Sequence, residues 1–272
     1  MNVTIGISAY NEAANIGNLL NALRNYPFEK IVVASGCTDS TVEIAKSFKD
    51  VKVIVEETRK GKASAVNEII YNAKGEIIIL ESADTIPSSF CFKYLLKPLD
   101  NLNVGMVGAH PIPVNRLNTE INRIGDLLWK THHQMALKYP KAGEVIAFRN
   151  KISGIENTAV DEAFIEFKLV ELGYKIEYAS NAVIFNKAPE TKEDLIKQRK
   201  RIFVGHLNLK KQGYSVRTMN TFDVIKASLR ASKNPLLLVH GGLLELEIRN
   251  EARKSMDNPI IWEMVNTTKA VK

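Results

Sequence analysis

Asp84 follows the apolar run Ile77-Ile78-Ile79-Leu80 and the residues Glu81-Ser82-Ala83, which puts a carboxylate at the carboxyl edge of a strand. Loops leaving strand ends converge at that edge in open α/β sheets, and ligands bind there. A second acidic feature, the pair Asp161-Glu162, opens a later helix. Cations cluster at Lys197, Arg199, Lys200 and Arg201 on another predicted helix, with Lys210 and Lys211 at its far end. Such a set suits chemistry on a diphosphate. One carboxylate would hold a metal, another would act as general base, and arginines would meet phosphate oxygens in bidentate fashion.

Three strand–helix units must position Asp84. Residues 3–7 read as a strand, and Ile16, Leu19, Leu20 and Leu23 then recur at helical spacing. A second strand at 31–34 precedes a helix carrying Val42, Ile44, Ala45 and Phe48. A third strand at 51–55 precedes a helix over 62–73, and a fourth strand ends at Glu81. This alternation implies right-handed crossovers and a parallel sheet. Beyond it the pattern loosens. The sequence predicts a strand at 104–108, a loop flanked by Pro111 and Pro113, and a long helix over 119–138. A short strand at 147–149 and a helix over 159–172, stopped by Gly173, come next. Two short strands at 175–178 and 182–185, the basic helix over 191–211 and a helical tail complete the reading.

The 272 residues are enough for one α/β core plus an extension, which divides the chain at 1–220 and 221–272. No apolar stretch approaches the roughly 18 residues of a membrane span. The first strand begins almost at once, without a basic segment and an apolar one before it, so a cleaved leader is not expected. Cys37 and Cys91 form neither a metal spacing nor a disulfide framework, which fits a reducing cytoplasm. The net charge of +7 points to an anionic partner. Nucleic acid is not that partner, since no aromatic-rich basic strand accompanies the charge.

Polar loops end the early strands. Ser8-Ala9-Tyr10-Asn11-Glu12 leads into a helix whose free amides suit phosphates or a base edge, and Asn11 serves equally well as a plain helix cap. Ser35-Gly36-Cys37-Thr38-Asp39-Ser40-Thr41 carries Asp39, which could likewise be only a cap. Arg59-Lys60-Gly61-Lys62 reads as a phosphate clamp or as a solvated charge run. Asp161 and Glu162 at a helix start also complement the macrodipole.

In their order, these segments resemble a known family. Ala9-Tyr10-Asn11-Glu12, residues 35–41, residues 59–67 and Ser82-Ala83-Asp84 look like the N-terminal motifs of family 2 glycosyltransferases, which have the GT-A fold. Asp161-Glu162 followed by Leu172-Gly173-Tyr174 is similar to that family's acidic catalytic motif, and Gln198-Arg199-Lys200-Arg201-Ile202 to its Gln-x-x-Arg-Trp motif. The resemblance spans about residues 1–213. It implies a mixed, mainly parallel sheet flanked by helices, with a helical C-terminal extension. It also implies inverting transfer of a sugar from a nucleotide-diphosphate sugar to an acceptor hydroxyl on a glycan or a lipid-linked carrier. Ala9, Tyr10, Asn11, Glu12, Ser35, Asp39, Lys62, Ser82, Asp84, Gln198, Arg199 and Arg201 would bind the donor. Asp84 would hold Mg²⁺ or Mn²⁺. Counting back from Gly173 puts Glu162 in the register of the base, with Asp161 second.

Four positions depart from the family pattern. Ser82 replaces the first Asp of Asp-x-Asp, Ser35 replaces a base-contacting Asp, the acidic pair is reversed, and Ile202 replaces the final Trp. Glu81 is adjacent to Ser82 but belongs to the opposite face of its strand. Two other classes remain open at this stage. One is a nucleotide-sugar-binding protein without catalysis, which the missing first Asp permits. The other is a nucleotidyltransferase, which would favour a glycine-rich first loop that this chain lacks. His132-His133 cannot both reach one metal, being about 100° apart on a helix, though one could reach the acceptor. His206 could approach the diphosphate or the metal. The tail interleaves Leu236, Leu237, Leu238, Leu243 and Leu244 with Lys226, Arg230, Lys233 and Arg249. It would either pack on the catalytic domain or lie against an anionic membrane at its cytoplasmic face.

Overall fold

Strand β1 (Val3–Ala9) alternates Val3, Ile5 and Ile7 on one face with Thr4, Gly6 and Ser8 on the other. The computed structural model describes residues 1–141, 143–254 and 265–268. The remaining strands are β2 (Glu29–Ser35), β3 (Val51–Glu56), β4 (Ile77–Ser82), β5 (Ile86–Pro87), β6 (Val104–Pro113), β7 (Ile146–Arg149) and β8 (Lys175–Asn186). They form a mixed sheet in the order β3-β2-β1-β4-β7-β6-β8-β5. Pairing is parallel across β3, β2, β1 and β4 and between β6 and β8, and antiparallel where β7 and β5 join. The α/β class and the parallel N-terminal sheet are therefore as the sequence predicts.

Helices cover both faces because both strand faces are apolar. Ile5, Ile7, Val32, Ile77 and Ile79 pack with α1 (Ile16–Ala22) and α4 (Cys91–Leu96). Ile31, Val33, Ile78 and Leu80 pack with α3 (Lys62–Asn72) and α6 (Asp161–Glu171) on the other side. The alternation sends Glu81 to the α1 side, where it is buried and accepts a hydrogen bond from Thr85, and burial with the Asp84 charge raises its carboxyl to about 8. Helix α2 (Thr41–Lys46) completes the N-terminal half, and α4 and β5 lie between the strands that the sequence pattern picks out.

Two strand readings change in an informative way. Strand β6 continues through the segment expected to be a proline loop. The Ala109 N–H donates towards β7, to Val145 O, whereas the Val114 N–H donates towards β8, to Asn186 O. Pro111 and Pro113 share the parity of Ala109, and β7 pairs only with Met106–Gly108. Their missing donors thus face a side with no strand left to bond, which is where proline is tolerated. The two short strands expected at 175–178 and 182–185 are one strand, β8, whose register with β6 shifts between Gly108 and His110.

The long helix α5 (Glu120–Lys138) starts at Thr119, whose hydroxyl accepts from the Asn122 N–H, and α7 (Lys192–Lys211) starts likewise at Thr191. Helices α8 (Thr221–Ala231) and α9 (Pro235–Lys254) make up the described part of the expected extension. Its residues 255–264 and 269–272 lie outside the described residues. Ile124 of α5, Leu195 of α7 and Leu244 and Ile248 of α9 form a small core that fastens the extension down.

Candidate active site

The loops after β1, β2 and β3 close on one another at the carboxyl edge of the sheet. Gly36 sits at φ +63°, and a Cβ there would meet Arg59 N at 2.4 Å, so a side chain would force the second and third loops apart. Asn11, at φ +51°, is not a helix cap, since α1 begins five residues later. Its Oδ1 accepts from Thr38 N–H at 2.8 Å, and its Nδ2 donates to Thr38 Oγ1 at 3.2 Å. Asp39 accepts from Ala13 N–H at 3.1 Å and Thr41 N–H at 3.0 Å, and these bonds hold its carboxyl below the usual range against the opposing effect of burial. Asn11 and Asp39 tie the first two loops together rather than lining the cavity they border. The Tyr10 ring carries the Arg59 guanidinium at 3.8 Å, a cation–π pair at the cavity's rim. Ala9, Glu12 and Ser35 line the same rim.

Lys62, at the start of α3, reaches across to the start of α6. Its Nζ lies 3.0 Å from Asp161 Oδ2 and 2.8 Å from Glu162 Oε1. Burial works against the ammonium, yet the two carboxylates outweigh it and hold Lys62 charged above the ordinary lysine range. Glu162 is likewise held below the usual carboxylate range, with Lys62 overcoming burial. Asp161 goes the other way, pushed up to about 6 by burial and by the Glu162 charge. The pair also differs in access. The Asp161 side chain is 3% exposed, whereas that of Glu162 is 18% exposed.

Asp84 and Ser82 line the same cavity as these three residues. Burial raises the Asp84 carboxyl, while Lys62 and Arg201 pull it back. Glu144, a residue without a sequence signal, joins them. It precedes β7 at φ +42°, a conformation unfavourable for a side-chain-bearing residue. Burial and the charges of Asp84 and Glu162 push its carboxyl up to about 7. Asn186 Nδ2 lies 3.5 Å from Glu144 Oε1, while the buried Asn186 Oδ1 has no hydrogen-bond partner among the described residues. Clustered carboxyls with raised pKa mark a functional site rather than a packing accident.

The cationic helix α7 divides its side chains. Arg201 faces Asp84, Glu144 and Glu162, and its buried Nε has no hydrogen-bond partner among the described residues. Arg199, expected beside it, is instead bonded to Glu245 of α9 at 3.2 Å through both Nε and Nη2. Arg249 donates to the same carboxylate at 3.0 Å. Helix geometry explains the split, because residues two apart project about 200° from each other. His206 follows Arg199 and not Arg201, and lies by Lys141 rather than by Asp84. Gln198 lines the cavity between the two sides. Of the two adjacent histidines, His132 reaches the cavity wall, while His133 turns away to Tyr178 Oη at 2.8 Å and stacks on His110.

These groups line one continuous cavity of about 870 Å³. Its sheet-edge end is charged. Its other end runs between α5, α8 and α9, past Leu128, Val224, Ile225, Leu238 and Leu243. Local motifs signal the first end only. The sequence holds no cue that Glu245 would meet Arg199, because the contact exists only once α9 has packed on α7.

The family model described as Glycosyl transferase family 2 matches residues 4–151. The poly-beta-1,6-N-acetyl-D-glucosamine synthase of Staphylococcus epidermidis is 25% identical over 218 residues, 72% of this chain and 52% of that protein. Its counterpart in Staphylococcus aureus strain COL is 25% identical over 223 residues, 73% of this chain and 53% of that protein. The chain thus spans about half the length of the curated relatives it matches. Among solved structures, a mannosyltransferase from Pyrobaculum calidifontis in complex with GDP-Man and Mn²⁺ superposes with TM-score 0.63 at 22% identity, over 95% of this chain and 76% of that one. Glucosyl-3-phosphoglycerate synthase from Mycobacterium tuberculosis, in complex with Mn²⁺, UDP and phosphoglyceric acid, gives 0.56 at 16% identity, over 76% and 78%. The likeness establishes the GT-A type of fold.

Proposed function

The chain belongs to glycosyl transferase family 2, and from that premise we propose that it transfers a sugar from a nucleotide-diphosphate sugar to an acceptor hydroxyl, with inversion. The observation that carries this reading is the Lys62 ammonium ion-paired with both Asp161 and Glu162 beside the Asp84 carboxylate. A base must be ionised before the step and open to its substrate. Glu162 meets both conditions, being held ionised by Lys62 and less enclosed than Asp161. The acceptor oxygen attacks the anomeric carbon, and its proton passes to the Glu162 carboxylate. The bond from that carbon to the diphosphate breaks, and its electron pair leaves on the diphosphate oxygen. Arg201, with an Nε free to donate, is placed to meet that developing charge. Tyr10 and Arg59 would flank the nucleotide at the rim.

A hard divalent cation fits the oxygen groups near Asp84. The Glu144 carboxylate and the orphaned Asn186 Oδ1 lie in the same part of the cavity. Among the described residues no group of three or more His, Cys, Asp or Glu is arranged to hold a metal. Mg²⁺ needs only one or two carboxylates when substrate phosphates supply further oxygens. Held by Asp84, such an ion would supply positive charge to the diphosphate. That assignment follows the Mn²⁺ and Mg²⁺ present with the structural neighbours.

The acceptor would be a glycan or a lipid-linked carrier, whose apolar part the α5–α8–α9 end of the cavity accommodates. No helix among the described residues is long and apolar enough to cross a membrane. Phe222, Ile225 and Leu229 of α8 and Leu236, Val239, Leu243 and Leu246 of α9 are exposed, with Lys226, Arg230 and Lys233 beside them. This composition supports peripheral contact of residues 221–272 with an anionic membrane.

A panel of radiolabelled nucleotide sugars, with and without Mn²⁺, tests the reaction and its donor. Asp84→Asn should weaken Mn²⁺-dependent nucleotide binding by about tenfold or more. Calorimetry with a folded mutant of unchanged affinity would remove Asp84 from the site. Binding without any turnover would favour the non-catalytic reading.

A further inference from the structure

Arg199 and His206 are seven residues apart on α7, so they share one face of that helix, about two turns from each other. Lys141, in the loop after α5, stands against this face. The three side chains line the cavity together with Glu166, Glu245 and Arg249. Here three cations, Lys141, Arg199 and Arg249, outnumber two carboxylates, Glu166 and Glu245, the reverse of the donor end, where carboxyls outnumber Lys62 and Arg201. Glu245 is taken by Arg199 and Arg249. Glu166 accepts from the Tyr214 hydroxyl. Lys141 makes no hydrogen bond or ion pair among the described residues, although Glu166 lies near enough to favour its charge. Burial, aided by the Arg199 charge, presses the Lys141 ammonium down to about 7. Burial and the same two cations press the His206 imidazole down to about 3, so His206 is neutral and has one N–H to donate. A half-buried ammonium with no hydrogen bond or ion pair among the described residues is costly in proportion to its burial, and an incoming anion would relieve that cost.

We propose that Lys141, flanked by Arg199 and His206, forms a second anion subsite that receives a phosphate group of the acceptor. The proposal rests on the transferase reading above and adds the acceptor's chemical class. The subsite is separate from the one for the donor diphosphate, because Arg201 and Arg199 leave α7 in nearly opposite directions. Lys141 supplies the charge, and His206 and the outer N–H groups of Arg199 supply directional donors. Beyond these groups the cavity continues between Leu128, Ile225, Leu238 and Leu243, a mainly apolar wall in which the Thr131 hydroxyl donates to that of Ser228. A phosphate esterified to an extended apolar chain matches that succession of polar and apolar wall. A free phosphorylated sugar or acid would use the polar part alone.

The test is calorimetry on the full chain with Mn²⁺ and saturating UDP or GDP, which fills the donor end. The titrants are decyl phosphate, inorganic phosphate and decyl maltoside. Decyl phosphate should bind, Lys141→Gln should weaken it by about tenfold or more, and Lys141→Arg should retain it. Nucleotide affinity should stay the same in both variants. Inorganic phosphate binding as tightly as decyl phosphate would support a subsite for a free phosphorylated acceptor, and weaker binding a lipid-carried one. Equal affinity of Lys141→Gln for decyl phosphate, or equal binding of decyl maltoside, would overturn the proposal. If neither nucleotide binds the unaltered chain, the transferase reading is what fails. The decyl phosphate titration, repeated without nucleotide, then still decides the subsite.

Discussion

The two ends of the cavity are built by different means. At the sheet edge, carboxyls crowd around two cations: Lys62 bridges Asp161 and Glu162, and Arg201 faces Asp84 and Glu144. The segments after parallel strands β3 and β4 deliver Lys62 and Asp84, and the backbone bonds around Asn11, Asp39 and Gly36 fix the neighbouring loops. At the other end, helices from distant parts of the chain supply mostly carbon, and an unpaired lysine stands at the boundary. A preorganised charged end suits a reacting centre, since its dipoles need no rearrangement as charge develops. An apolar end contributes binding without chemistry. Substitutions at the first should therefore act on kcat, and substitutions at the second on acceptor affinity.

The largest effect that would test this contrast is on Glu162. Glu162→Gln should lower kcat by about 10²-fold or more and leave nucleotide affinity nearly unchanged. Asp161→Asn, at the more enclosed carboxyl, should cost less. The reverse order would make Asp161 the base and shift the acceptor's approach to the inner side of Lys62.

How far this end is legible in the sequence depends on how locally each residue is held. Asp84, Lys62, Asp161 and Glu162 each occupy the end of a strand or the start of a helix, so apolar periodicity and motif order suffice to bring them together. Glu144 escapes, because its place comes from a backbone turn at φ +42° that no residue type there announces. Arg199 is assigned to the diphosphate by its motif, yet Glu245, 46 residues further on, decides its direction. Strand β6 is cut short in the sequence reading because proline is a turn signal when only local information is used. Which side of β6 lacks a partner is a property of the whole sheet. In β8 the sequence finds the two paired stretches, and what it misses is that the chain between them stays extended.

A smaller effect follows from removing the cation that balances the charged end. Lys62→Met should leave Asp161 and Glu162 facing each other, and the acid limb of kcat/KM should move to higher pH. The sign follows from Glu162. Its carboxyl is now held below the ordinary value of 4.5, so the ionised base survives to lower pH than a free glutamate would allow. Without Lys62, burial and the Asp161 charge act alone, and both favour the protonated form. The stability that Glu162 contributes is present above its unfolded pKa and lost as pH falls through its folded one. Lys62→Met should therefore destabilise most at neutral pH. Breaking a fully buried pair costs about 3–5 kcal/mol, and the 38% exposure of the Lys62 side chain reduces this to roughly 1–3. A pH–rate profile and denaturant melts at pH 7 and pH 4 would check both parts. An unmoved acid limb would mean that Lys62 is structural and leaves the base alone.

The smallest effect on stability, and the sharpest on location, belongs to the exposed apolar side chains of the extension, some of which also form the mouth of the cavity. On α9, Leu243 is 60% exposed while its neighbour Leu244 is 8% exposed and packs against α5 and α7. The exposed set continues through Leu236, Val239 and Leu246, and α8 adds Phe222, Ile225 and Leu229. Replacing Phe222 and Leu236, which are exposed and do not line the cavity, by serine should change folding stability by no more than about 0.5 kcal/mol per site, since these side chains bury little in the folded chain. The same change should weaken binding to anionic vesicles by about tenfold or more for each side chain that otherwise enters the lipid boundary. Salt should weaken the unaltered protein's binding as well, by screening Lys226, Arg230 and Lys233. A sedimentation assay at low and high salt separates the two contributions. If the unaltered chain ignores anionic vesicles even at low salt, the exposed leucines serve some contact other than lipid. The acceptor would then have to reach the apolar end of the cavity from solution.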